Sequence, residues 1–572
     1  MSEFFLELFS EEIPSNLQKN LRENLLKSFN EFFLEKSIKF KKSSSYSTPN
    51  RLLILFEGVE KKIVLKSEEI KGPNTKSPDA ALEGFARSNG VSKKELFIKK
   101  TDKGEFYFYK TRSKKLDTHT LLEGAIPQIL NKIQWKKSMK WSNYELLWGR
   151  PLKSILSIFD KKKLNFKFHH FISSNSTFVD KEFEEKKKLF SDFKSYKNFF
   201  KKMDILIDHA ERKDLIEKKF DIILKKRNIN IDSNPKLLEE VVDLTDQPNV
   251  IVCEFDKKFL NIPKEILILT MQYHQKYFPT FDKKGNITNQ FLVVANNKDK
   301  KGLIKLGNER VVEARLSDAE FFWQKDKAQN MVKKISDLKL MNYFKGLGNY
   351  FDKAQRTRKL GAIISDELLI SKEKVELSAS ISKVDLLSEL VGEFPELQGI
   401  MGGYFANVQG FDKEISFAVS EQYLPVGSGT KIPKKPYSIA LSLADKIDTL
   451  VGFFGVNQKP TSSKDPFALR RLALGIVRIM IENKKDFKIR DLINYSSSLY
   501  QDQGFEFENK SLQKELLDFL LDRLKYYMKE ENIRNDIIQA SISSFNLDQS
   551  VIIFNKAKNL NKIISKQNGI DI

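Results

Sequence analysis

The sequence predicts an α+β multidomain protein, with mixed α/β modules in its N-terminal half and helices alone in its C-terminal half. Three observations lead there. The 572 residues exceed what one hydrophobic core organises, and about 150 residues per domain suggests about four domains. Short apolar runs bounded by turn residues, the signature of strands, recur through the first half. From Leu338 onward they give way to apolar residues at helical spacing. The expected divisions are 1–180, 181–335, 336–490 and 491–572.

Taken in order, Phe4 to Phe9 is a strand stopped by Ser10, Glu11, Glu12 and Pro14. Leu17, Leu21, Leu25 and Phe29 then step by four between charged residues, which makes an amphipathic helix. The Ser-rich residues 41–51 read as a loop before the strand LLILFEGV. A helix is expected from Ala80 to Asn89, and TDKGEFYFYK reads as a hairpin turning at Lys103 and Gly104. Next, Trp135, Trp141 and Trp148 fall among Lys136, Lys137, Lys140 and Arg150. Two readings stand for this stretch: tryptophans anchoring a domain edge, or rings and bases that stack on and neutralise RNA.

Residues 181–230 alternate charges with Phe, Leu and Ile and read as one long charged helical segment. LLEEVVDLTDQPNVIVCEF passes from helix to strand through Asp246, Gln247 and Pro248, and places Cys253 in a buried strand. His274 lies near the start of a hairpin that turns at Lys284, Gly285 and Asn286, as a structural residue or as a base or ligand. In the helix GNERVVEARLSDAEFFWQKD, Glu309, Arg310, Glu313, Arg315, Asp318 and Glu320 are spaced to pair with one another.

The run KVDLLSELVGEFPELQGIMGGYF concentrates several signals. Val384, Leu387, Leu390 and Val391 make one helical apolar face, which Lys383 and Asp385 interrupt. Pro395 ends it, because proline lacks an N–H and restricts the residue before it. Gly399, Gly402 and Gly403 then permit a turn or close backbone contacts. The Lys-x-Asp pair resembles the His-Asp position of HD-type metal hydrolases. Such an enzyme holds metal with His and Asp, yet His119, His169, His170, His209 and His274 all precede the helical half, so no metal site is expected. Further on, Asp465 and Pro466 form a helix start, carboxylate as N-cap and proline first. Arg471 and Arg478 then share a face, with Asp445 and Asp448 as their expected counterions. A packed, ion-paired helix pair and a phosphate-binding surface both fit this spacing.

Composition bounds the function. Lys and Arg number 98 against 76 Asp and Glu, a net +22 that favours a polyanionic partner, nucleic acid before membrane. A single cysteine excludes an intrachain disulfide and fits a reducing cytoplasm. The N-terminal stretch is acidic where a signal peptide is basic, and no apolar run approaches the ~20 residues of a membrane helix. Gly427, Gly429 and Lys431 lack the spacing of a P-loop, and no strand-borne GxGxxG occurs.

LFSEEIP, TPNRL, MKW with GRP, LLEEVV, HQKYF, GNERVVEARLSDAEFFWQKD, KVDLLSELVGEFPELQGIMGGYFA, ADKIDTLVGFFG and PTSSKDPFALRR follow one another along the chain. In that order they resemble the β subunit of bacterial tetrameric glycyl-tRNA synthetase. The resemblance implies a non-catalytic, tRNA-binding subunit of an α2β2 glycine-tRNA ligase. The α subunit makes glycyl-adenylate there, and ATP with Mg is a substrate of the whole complex rather than a cofactor bound by this chain. It also implies a degenerate HD-like domain in the third division, with Lys383 and Asp385 at the HD position, and the start of a helical anticodon-binding domain in the fourth. Lys464, Arg470 and Arg471 are the expected RNA-facing residues, with Lys136, Lys137 and Lys140 second. An HD phosphohydrolase and a scaffold that only stabilises α are the alternatives. Two departures stand out. The family's Gly-His-Arg-Phe segment is replaced by SSNSTFVDKEF from Ser173, and the sequence stops at Ile572 where relatives add helices, so a truncated chain is expected.

Overall fold

Side chains alternate along Ser2–Ser10, and both faces of that strand are covered. Phe4, Leu6 and Leu8 pack with Leu17, Leu21, Leu25 and Phe29 of the helix Ser15–Glu35, whereas Phe5 points to the opposite core with Phe193, Tyr196 and Phe200. Each such fully buried side chain contributes about 1.5–3 kcal/mol. The computed structural model describes residues 2–65, 69–102, 104–111, 114–179, 186–232, 234–462, 464–507, 511–542 and 547–564. They form two compact units, Met1–Lys257 with Ile268–Val312, and Lys258–Leu267 with Glu313–Ile572.

The two largest sheets of the first unit are antiparallel. In one, Ser2–Ser10 lies between Leu152–Phe159 and Arg51–Val59, with Lys162–Lys163 and Lys42–Thr48 at the edges. The Ser-rich stretch expected as a loop is thus mostly an edge strand. Its polar side chains hide the strand signal, while its backbone pairs from Lys42 opposite Glu57 to Thr48 opposite Arg51. In the other sheet the order is Asn230–Ile231, Phe278–Phe281, Ile287–Ala295 and Asn249–Glu254. Cys253 is fully buried there, and burial pushes its thiol up to about 12.

Several expectations hold closely. The helix Asp79–Ser88, the hairpin Leu96–Thr101 with Gly104–Lys110, and the passage from the helix Pro235–Leu244 to the strand at Asn249 stand where the sequence placed them. Lys103 and residues 180–185 lie outside the described residues. The expected single helix across 181–230 is instead the strand Lys187–Leu189 and the helices Phe193–Lys202 and His209–Arg227. Asp192 and Asp208 each accept a backbone N–H at a helix start, so the break is written in two capping carboxylates. His274 closes a π-helical turn, Thr270–His274, immediately before the hairpin.

In the second unit the helix Pro436–Gly455 is buried along almost its whole length. The helices Tyr350–Leu368, Lys372–Ile381, Leu469–Asn483, Ile489–Asp502 and Leu512–Glu530 pack with it. Two short strands, Asn342–Phe344 and Gly348–Asn349, interrupt the otherwise helical second half. No helix among the described residues is long and apolar enough to cross a membrane.

Candidate functional site

A cluster of charges sits inside the helical unit, around the position of Lys383 and Asp385. The run from Val384 to Val391 is not one helix. Lys372–Ile381 ends, a 3-10 turn covers Val384–Leu387, and Ser388 caps a new short helix, Glu389–Glu393, by accepting from Val391 N at 3.1 Å. Freed from helical register, Lys383 turns inward. Its Nζ lies 2.7 Å from Asp445 Oδ1 and donates to Gln422 Oε1 at 2.6 Å and to Tyr423 OH at 3.1 Å. Asp385 Oδ2 accepts from the backbone amides of Gly399 and Gly402, the latter at 3.2 Å. Gly399 has a φ of +79°, and a Cβ there would meet the Tyr423 ring at 2.9 Å. Gly402 and Gly403 lie within the helix Ile400–Val408 rather than in a turn, and let it approach Val419, Ser416 and Ser420.

Asp445 and Asp448, one turn apart on the central helix, take their cations from a helix that sequence reasoning did not connect to them. Asp448 accepts from Arg356 Nε at 2.8 Å and lies 3.2 Å from Lys353 Nζ, which is also 3.3 Å from Asp445. Arg478, expected to meet these aspartates, pairs with Glu482 at 2.7 Å and donates to the carbonyls of Gly427 and Thr430. Lys446 completes the cluster by donating to Ser442 Oγ at 2.9 Å. None of Lys353, Arg356, Lys383, Asp385, Asp445, Lys446 or Asp448 is more than 4% exposed.

Depth sets their protonation. Burial alone would raise the Asp445 carboxyl, but the Lys353 and Lys383 ammoniums outweigh it and hold the group below the usual carboxylate range. Asp385 has only Lys383 and backbone donors, and burial pushes it up to about 6. Burial, countered by Asp445 but reinforced by Lys383 and Lys353, pushes Lys446 down to about 7. Lys353, Arg356, Lys383, Asp445 and Asp448 pair with one another, Asp385 is held by backbone amides and Lys446 by Ser442, and all seven are enclosed. Among the described residues no group of three or more His, Cys, Asp or Glu side chains is placed to hold a metal ion.

The expected RNA-facing residues fall in two surface regions. Lys464 and Arg471 are exposed and have no acidic partner at ion-pair distance among the described residues, while Arg470 is half-buried and donates to the Thr461 carbonyl at 2.7 Å. The helix here begins at Leu469, not at Pro466. Asp465 reaches forward instead, accepting from Leu469 N at 2.9 Å and Arg470 N at 3.0 Å. In the first unit, Lys136, Lys137 and Lys140 are likewise exposed and lack an acidic partner among the described residues. Beside them Trp148 is buried, and Trp135 packs so tightly on Gly149 that a Cβ there would lie 1.9 Å from its ring. Trp135 and Trp148 are therefore anchors, and Trp141 is half-buried.

Glu309 pairs within its helix with Lys305, whereas Arg315 reaches Glu393 at 3.7 Å, outside the helical ion network expected for it. A cleft of about 640 Å³ elsewhere in the first unit is lined by Lys19, Arg22, His209 and Lys213, with Arg22 bound to Asp243 at 3.2 Å.

Comparison with known proteins adds the family. Residues 4–543 match the family described as glycyl-tRNA synthetase beta subunit. The glycine-tRNA ligase beta subunit of Rickettsia conorii is 38% identical over 532 residues, covering 93% of this chain and 78% of that protein. That of Rickettsia canadensis is 36% identical over 570 residues, covering 100% of this chain and 84% of that protein.

Proposed function

Because the chain belongs to the glycyl-tRNA synthetase β-subunit family, we propose that it serves glycine-tRNA ligase by binding tRNA(Gly) for an α subunit that forms glycyl-adenylate. The two chains would assemble as α2β2 in the cytoplasm, with ATP and Mg, glycine and tRNA as substrates of the assembly. The observation that carries this reading is the set of exposed bases without an acidic partner among the described residues, Lys464 and Arg471 in one region and Lys136, Lys137 and Lys140 in the other. Ammonium and guanidinium groups without carboxylate partners are free to take phosphates, releasing counterions as they do so. The closed ion cluster supports a non-catalytic role, since its charges are enclosed and none is more than 4% exposed. In this reading residues 336–490 are a degenerate HD-like domain that shapes a surface beside the tRNA. Residues 491–572 begin a helical anticodon-binding domain, 1–180 are the N-terminal α/β region, and 181–335 a mixed helical linker and β-hairpin region.

The test is the affinity of the α/β complex for tRNA(Gly) over a range of salt. Reversing Lys464 and Arg471 to Glu lowers affinity and flattens the salt slope by about one unit for each phosphate no longer held, at unchanged melting temperature. Unchanged affinity and slope rule these residues out. A tRNA affinity of α that does not rise when this chain is added favours a scaffold instead.

A further inference from the structure

Where Trp135 and Trp148 pack inward as anchors, two rings of the same region are left at the surface. Tyr144 is 41% exposed, and His170 is half-buried at the turn of the hairpin Lys167–Phe168 with Phe171–Ile172. Their rings lie parallel, with centroids 3.5 Å apart and planes within 7°. His170 is backed by Phe171 at 3.9 Å, and Trp141 meets both rings edge-on, at 6.4 Å from Tyr144 and 6.3 Å from His170. The pair is thus held flat by its neighbours instead of rotating freely. Burial and the neighbouring His169 lower the pKa of His170, so the imidazole is a neutral aromatic face at pH 7.

An exposed, pre-stacked pair is a step onto which one more flat ring can be laid. Lys140 lies in the loop that the backbone pairing of Met139 with Trp148 closes, Lys136 and Lys137 directly precede it, all three without an acidic partner among the described residues, and Glu145 is the exposed acid of that loop. We infer that Tyr144 and His170 form a stacking platform for one unpaired base of the tRNA, with Lys136, Lys137 and Lys140 taking the phosphates beside it. The inference rests on the tRNA-binding reading above and adds the residues that would hold a base rather than a duplex. Paired bases keep their faces buried in the helix, so this surface selects single-stranded nucleotides.

Tyr144→Ala, in complex with α, lowers affinity for tRNA(Gly) roughly 5- to 150-fold, the range for one base stack removed. Tyr144→Phe keeps affinity within about twofold, since only the ring is needed. A tRNA trimmed of its unpaired 3′ nucleotides and an isolated anticodon stem-loop locate the base, because the Tyr144→Ala loss persists only with the RNA that retains it. In the unaltered complex, tRNA protects His170 from acylation by diethyl pyrocarbonate, read by peptide mass, which needs no variant to fold. Equal binding of parent and Tyr144→Ala to all three RNAs, or full reactivity of His170 in the bound state, overturns the inference. A parent complex that binds no tRNA overturns the earlier reading instead.

Discussion

Replacing Asp448 by Asn keeps the shape of the central helix and removes the charge at its most enclosed point. Asp448 is fully buried and serves Arg356 at 2.8 Å and Lys353 at 3.2 Å, with Tyr500 OH at 3.3 Å. In the variant, Lys353 retains Asp445, and Arg356 retains Gln503 and the Tyr500 ring, 3.7 Å from its guanidinium carbon. Arg356 is nonetheless left buried without a carboxylate, while Lys353 shares Asp445 with Lys383, and breaking a buried pair from one side costs about 3–5 kcal/mol. At about 2–4 °C per kcal/mol for a unit of this size, melting falls by roughly 6–20 °C in calorimetry or circular dichroism. Lys353→Met in the same chain restores part of that loss, because the cluster then holds one buried cation fewer and Asp445 is left to Lys383, and the double-mutant cycle departs from additivity by more than about 0.5 kcal/mol. A loss below about 1 kcal/mol for Asp448→Asn, with additive behaviour, would refute the view that this cluster ties the helices together.

Other consequences are equally specific. Lys446 has a folded pKa of about 7 against an unfolded value near 10.5. The unfolded chain therefore holds the extra proton between those values, and this group makes stability rise with pH from 7 toward 10.5. Lys446→Met should raise urea stability at pH 6.5 by on the order of 1–4 kcal/mol and remove that rise. Gly403→Ala places a Cβ 2.5 Å from Ser420 Cβ and 2.7 Å from the Ser416 carbonyl oxygen, and should cost about 1–3 kcal/mol in a urea titration. Burial, with Arg22 nearby, pushes His209 down to about 4. The unfolded histidine takes up its proton first on acidification, so stability falls between pH 6.5 and 4, a component that His209→Gln abolishes in urea titrations at pH 7 and pH 5.

Legibility in the sequence followed the range of the interaction. Phe4 to Phe9 and the helix bearing Leu17, Leu21, Leu25 and Phe29 were readable because their apolar spacing reports local geometry. Lys42–Thr48 was not, since an edge strand of Ser and Thr is defined by the backbone of Arg51–Val59 rather than by its own side chains. In the candidate site, Asp445 and Asp448 were recognisable as counterions, and Lys383 and Asp385 as charges needing partners. Which cations pair with them depends on contacts between residues about ninety positions apart, for which the sequence has no local mark. The available signal was Lys353 and Arg356, three apart on a helix face that is otherwise uncharged. Asp465 with Pro466 marks a helix start in the sequence, but the helix begins three residues later at Leu469 and Asp465 reaches forward to the amides four and five residues ahead. Tyr144 and His170 meet only because a hairpin turn folds onto the tryptophan loop.

Glycylation of tRNA(Gly) tests the division of labour most directly, with the α subunit alone, this chain alone and the two together, given ATP, Mg and glycine. The account predicts charging only in the mixture. Robust charging by this chain without α, or charging by α alone at the rate of the mixture, would contradict it.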